Sequence, residues 1–187
     1  VLTPGGTKPT LIDGAPSFGA TTSPMDAPVG AFTAATVAVA YRRSTGSTAR
    51  AFLAAVRDLT ISNGITRVEF PAGAVASTLP NIWREDPYLG GGYSPGPGAG
   101  SPPGRAIVAS GENPRAYAWQ PSAGAPVAAG AAGAYGYAAG ASSILSLSDS
   151  AFPWHGEVFA VAAWKYPATQ AECETILAWL DSLPVPS

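Results

Sequence analysis

The sequence predicts an almost purely β domain closed by one short C-terminal helix, and three observations carry that expectation. The 187 residues include 22 glycines and 19 prolines, so the chain is interrupted too often for long helices. The apolar stretches between these interruptions are short, and several alternate with a period of two. Near the end, by contrast, a polar capping signal opens a run with helical spacing. The length suits a single domain over residues 1–187, because sandwiches and barrels reach about 200 residues around one core.

Residues 1–30 are rich in Gly, Pro, Thr and Ser, with Leu11, Ile12 and Phe18 as apolar anchors, and read as an extended, strand-poor lead-in. Thr36-Val-Ala-Val-Ala-Tyr41 is the first strong strand: Val37, Val39 and Tyr41 share one face and small residues line the other. It is expected to end at the turn Arg42-Arg43-Ser-Thr-Gly46. Ala51 to Arg57 reads as a strand, although its helix formers leave a helix open. Asn63-Gly64 is a turn signal, and Ile65 to Phe70 is a strand stopped by Pro71.

From Asn81 to Gly104 the density of Gly and Pro argues against a regular ladder, so this segment is expected to be a long loop. Loops of that length in compact domains tend to be lids or binding arms, the alternative being an insertion without a role. Strands are expected again at Arg105–Ala109, Arg115–Gln120 and Ser143–Ser148. The low-complexity stretch before Ser143, with Tyr135 and Tyr137 at strand spacing, reads as a small-residue strand or loop packed closely on a neighbour.

The most informative stretch is FPWHGEVFAVAAWKYPATQAECETILAWL, residues 152–180. Val158 to Trp164 is apolar at successive positions, as a strand buried on both faces must be. Thr169 and Glu172 form a capping box, in which each side chain satisfies a backbone N–H at the helix start. Cys173, Ile176, Leu177 and Leu180 then give one apolar stripe at i, i+3, i+4 and i+7, so a helix is expected over 169–181, stopped by Pro184 and Pro186.

This order of Gly, buried strand, aromatic-rich turn, capped helix and chain end resembles the close of concanavalin A-like lectin/glucanase (laminin-G-like) domains. Arg115 to Gly124 and Thr36 to Tyr41 resemble their aromatic-bearing strand and an early core strand. The resemblance implies a two-sheet antiparallel jelly-roll sandwich with Greek-key connections, whose edge the final strand and helix would seal. It implies little about activity, since the fold hosts lectins, glycosidases, lyases, adhesion modules and virion proteins.

The net charge of −2, with no basic cluster beyond Arg42-Arg43, gives no electrostatic reason to bind nucleic acid. One cysteine and one histidine cannot build an internal disulfide or a Cys/His zinc site, and the aspartates are dispersed, so no metal or cofactor is expected. No segment approaches the roughly 20 apolar residues of a membrane helix. The residues at the N-terminus lack signal-peptide order, though a removed leader would leave no trace.

A retaining glycosidase needs two carboxylates about 5 Å apart. Glu69 and Glu157 lack acidic partners on their strands, and the adjacent Glu85-Asp86 would diverge on an extended chain, so no catalytic residue is assigned. Cys173 lies on the apolar stripe and reads as a packed thiol. The candidate ligand-binding residues are therefore aromatic. Trp83, Tyr88 and Tyr93 lie in or beside the expected loop, where aromatic faces suit sugars and protein partners, although Trp83 could instead plug the sandwich edge. Trp154 and His155 are the second group, with His155 read either as a stacking or proton-transfer residue or as a turn residue capping the strand.

The resulting expectation is a non-enzymatic binding or structural module, free or in a homo-oligomer, on the exterior of a virion-like particle or cell-surface assembly. It would recognise glycan or a neighbouring virion or surface protein. The alternatives are a carbohydrate-active enzyme, glycosidase or lyase, with loop-borne carboxylates, and a secreted lectin or adhesion domain.

Overall fold

The computed structural model describes residues 3–4, 10–12, 15–19, 24–30, 36–43, 51–58, 65–70, 81–85, 91–93, 104–109, 115–119, 127–129, 143–149, 151–166 and 168–184. Fourteen strands and one helix are described: β1 (Thr3–Pro4), β2 (Thr10–Ile12), β3 (Ala15–Phe18), β4 (Met25–Pro28), β5 (Thr36–Arg43), β6 (Ala51–Asp58), β7 (Ile65–Phe70), β8 (Asn81–Glu85), β9 (Gly91–Tyr93), β10 (Gly104–Ala109), β11 (Arg115–Trp119), β12 (Val127–Ala129), β13 (Ser143–Leu147), β14 (Gly156–Trp164) and α1 (Gln170–Ser182). They form two antiparallel seven-stranded sheets, ordered β1-β4-β13-β6-β7-β8-β9 and β12-β11-β10-β5-β14-β3-β2. This is the expected all-β sandwich with one C-terminal helix.

Strand alternation builds the core. Val37, Val39 and Tyr41 of β5, Leu145 and Leu147 of β13, and Phe18 of β3 meet Leu53, Ala54 and Val56 of β6 between the sheets. On the other side of β5, Ala38 and Ala40 form a second cluster with Ile107, Cys173, Leu177 and Leu180. Both faces of β5 are thus buried, and the small residues on one of them let α1 approach closely.

Two bulges set which face each residue takes. The β14–β5 register shifts between Val158 and Ala160. The extra residue reverses the alternation, so Val158, Val161 and Ala163 join the inter-sheet core while Phe159, Ala160 and Trp164 join the cluster under α1. A second shift, between Phe52 and Ala54 in the β6–β7 ladder, puts both Leu53 and Ala54 in the core.

The helix is capped as its sequence predicts, with Thr169 Oγ1 accepting from Glu172 N and Glu172 Oε2 accepting from Thr169 N. It lies over the outer face of β10, β5 and β11 rather than sealing an edge, which corrects the placement taken from the resemblance. The small side chains of Ala38 and Ala40 leave room on that face, where Leu177 and Leu180 pack with them. Arg105, 1% exposed, donates from Nε to the Leu180 carbonyl at 2.8 Å and brings a cation to a helix end that has none of its own. Burial lowers its pKa, opposed by the nearby charge of Asp181. Thr36, fully buried, holds the approach to the helix: its hydroxyl donates to Tyr166 O at 2.7 Å and accepts from Ala168 N at 2.8 Å.

Two expectations are corrected. Residues 1–30 contain four short strands, β1 to β4, and β4 pairs with β13 along four residues. The segment 81–104 is not loop throughout, because β8 pairs with β7 over five residues and β9 continues the sheet. Asn81, Ile82, Trp83, Arg84 and Glu85 contain no Gly or Pro, and β9 forms in spite of Gly91 and Gly92. Tyr135 and Tyr137 lie outside the described residues.

Candidate functional site

The outer face of the second sheet carries α1. Beside the helix, Arg42 and Glu157, directly paired across β5 and β14, form an ion pair at 3.0 Å. The Arg42 guanidinium also stands 5.3 Å from the centre of the Phe159 ring. Both charges are partly exposed, and such a pair contributes little to stability.

The outer face of the first sheet carries no described helix. Its central register row runs Asp26, Ser146, Ala55, Arg67, Trp83 and Gly92 across β4, β13, β6, β7, β8 and β9. Leu145, Leu147, Ala54 and Val56 belong to the core, so the intervening Ser146 and Ala55 lie on the opposite face. Ser146 donates a hydrogen bond to Asp26 Oδ1, and both Ser146 and Ala55 are buried. The row is therefore buried over β13 and β6, and its continuation through Arg67, Trp83 and Gly92 is given by register. One row further along, Ile65 pairs with Arg57 and Glu85; one row back, Glu69 pairs with Phe52 and Asn81. Trp83 thus neighbours the polar positions Arg67, Glu69, Asn81 and Glu85, with Ile65 and Phe52 in the same rows.

A tight connection borders these rows. Ser148, at φ 65, accepts from Trp154 N at 2.9 Å, and Asp149 Oδ1 accepts from Ala151 N at 2.8 Å. Ser148 N donates to Leu53 O, and Phe52 N donates to Phe152 O. The rings of Phe52 and Phe152 stack at 5.0 Å. The bulge in β6 thereby finds partners for backbone groups that its broken ladder would leave unpaired.

The five sequence-predicted residues separate. Trp83 lies in β8, in the rows just described. Tyr93 lies opposite Ile82, in a row that continues through Val68 to Ala54 of the core, and so takes the alternate position from Trp83. Tyr88 lies outside the described residues. Trp154 is a core residue, 0% exposed, meeting Tyr41 edge to face at 5.7 Å, which corrects its reading as a ligand platform: the Ser148–Trp154 turn draws it between the sheets. His155 is half-buried beside Gly156, whose φ of 145 suits glycine. Sequence reasoning did not single out Asn81 and Glu85 as neighbours of Trp83 on one strand. The alternation of Asn81, Trp83 and Glu85 at i, i+2 and i+4 was the available signal. No group of three or more metal-ligating side chains occurs among the described residues, and no described helix is long and apolar enough to cross a membrane.

The sequence matches no family model and no curated protein. Solved structures do resemble the fold. The CBM40 module of the Ruminococcus gnavus IT-sialidase, bound to α2,3-sialyllactose, aligns with a TM-score of 0.56 at 11% identity, covering 78% of this chain and 83% of that one. The heptameric SAP-like pentraxin of Limulus polyphemus aligns at 0.60 and 12%, covering 91% and 80%. Tailspike protein 2 of the Escherichia coli O157:H7 bacteriophage CAB120 aligns at 0.68 and 13% over 97% of this chain, which spans only 27% of the tailspike. At these identities the likeness establishes the architecture alone: the chain is a two-sheet β-sandwich of the jelly-roll kind.

Proposed function

We propose that this protein is a non-enzymatic, glycan-binding jelly-roll module displayed on the exterior of a virion-like particle or cell-surface assembly, and that it binds through the β7–β8 part of the first sheet's outer face. The observation that carries the reading is the register that centres Trp83 among Arg67, Glu69, Asn81 and Glu85. Aromatic and planar hydrogen-bonding residue types at neighbouring ladder positions suit a sugar, whose ring offers a C–H face and a rim of hydroxyls. The sialyllactose-bound module and the tailspike among the similar folds support both the ligand class and the location.

The non-enzymatic part of the reading rests on the sequence, which offers no paired carboxylates at the spacing of one strand. The protein should be retained on a polysaccharide in pull-down while releasing neither reducing ends nor unsaturated products. Steady turnover abolished by one carboxylate substitution overturns the non-enzymatic reading.

A contact with a neighbouring protein is favoured by a separate observation. Trp179 and Tyr166, each 43% exposed, are the large exposed hydrophobic residues among those described, and both belong to the helix side of the molecule. Incorporation into particles that fails in Trp179→Ala while glycan binding persists would assign that side to assembly.

A further inference from the structure

We infer that the outward face of α1 docks a basic segment of a neighbouring protein, one whose apolar side packs on Trp179 while its lysines or arginines meet the helix's carboxylates. This rests on the reading above that the Trp179 side serves assembly, and it names the chemistry of the partner.

The shape of the face suits close approach. Ala171, Thr175, Ala178 and Ser182 recur at i, i+4, i+7 and i+11, so they share one stripe along the helix, and all four are exposed. The stripe lies opposite Cys173, Leu177 and Leu180, which are buried on the sheet. Thr175 Oγ1 donates to Ala171 O at 2.8 Å and Ser182 Oγ donates to Trp179 O at 2.7 Å, so both hydroxyls are turned onto the helix's own carbonyls. What faces outward is a low ridge of small groups, and small residues at a contact let helix axes come toward the short end of roughly 8–10 Å. Beside the ridge Trp179 is 43% exposed. Ile176 and Leu183, three before and four after it, are partly buried against the cluster beneath the helix. The indole therefore continues to solvent an apolar surface that begins in the core, and tryptophan is enriched among the residues that hold protein contacts together.

Charge decides which partner this face fits. The helix carries Glu172, Glu174 and Asp181, all exposed, and neither lysine nor arginine. Arg105 reaches the Leu180 carbonyl from beneath, but no residue of the last turn is basic, so Asp181 adds its charge to the negative end of the helix dipole on the solvent side. A lysine or arginine brought there meets the dipole, a carboxylate and the face of an indole together. Pairing α1 with the same helix of a second copy instead sets three carboxylates against three, which like-charge repulsion opposes.

Calorimetry of the full chain against three synthetic helical peptides of equal length tests the inference: leucine on one face with lysine on the other, leucine with glutamate, and serine with lysine. The leucine and lysine peptide should bind at least tenfold more tightly than either of the others at low salt, and should weaken at least threefold at high salt. Trp179→Ala, and separately Glu174→Gln combined with Asp181→Asn, should each weaken that binding at least fivefold with the melting temperature nearly unchanged, as at exposed positions generally. Equal binding of the lysine and glutamate peptides, no binding by any of the three, or binding that ignores Trp179 overturns the inference. Self-association in sedimentation that Trp179→Ala abolishes gives the face to a second copy and overturns it as well. Loss of particle incorporation in Trp179→Ala without a preference for the leucine and lysine peptide discards the basic partner and leaves the assembly reading standing.

Discussion

Leu177 is 1% exposed and meets Ala38, Ala40 and Ile107, where an alanine substitute leaves a cavity that small neighbours cannot refill. Leu177→Ala should cost about 2–5 kcal/mol in chemical denaturation. A loss under about half a kcal/mol, the range of surface substitutions, would show that this face is not packed. Arg105→Ala removes the donor to Leu180 O and the buried guanidinium together, with an expected cost of about 3 kcal/mol. Glu172 acts through pH. Its carboxylate accepts from the Thr169 backbone N–H and hydroxyl, which holds its pKa below the ordinary 4.5. A depressed folded pKa contributes stability that is complete above the unfolded value and is lost as pH falls through the folded one. Stability should therefore decline below about pH 4.5, and Glu172→Gln should flatten that part of the curve.

At the scale of elements, what could be read from the sequence depended on how much of each signal was local. The capping box and the 3.6-residue stripe of α1 are complete within fourteen residues, and Thr36–Tyr41 shows its two faces in its own alternation, so both were legible. Short paired strands were not. Thr3–Pro4 and Met25–Pro28 are strands because β4 meets β13, and nothing within them announces it. Nor can a bulge be read from one strand, since the extra residue at Phe159 exists only relative to β5. Asn81–Glu85 was hidden by the glycines and prolines that follow it. Trp154 was misread for a related reason, because its burial depends on Ser148 and Asp149 folding the connection back. The β8 pairing has a consequence: deleting residues 81–104 bares the edge of β7, and the variant should melt lower and self-associate in sedimentation. Unchanged melting and a monomer would contradict the ladder.

For the whole molecule, the two outer faces divide the work. The second sheet's face is spent on α1, whose removal would expose Ala38, Ala40 and Ile107. The first sheet's outer face carries no described helix, and a module whose function is binding needs a face held by a rigid scaffold. On the proposed reading Trp83 belongs to recognition, and Trp179, on the helix side, lies away from it. The most direct measurement compares Trp83→Ala and Trp179→Ala on a glycan array, with thermal melting of each variant alongside. Loss of binding in Trp83→Ala, retention in Trp179→Ala and little change in melting for either are the results expected. Full binding by a folded Trp83→Ala variant would contradict the account and move the site off the first sheet.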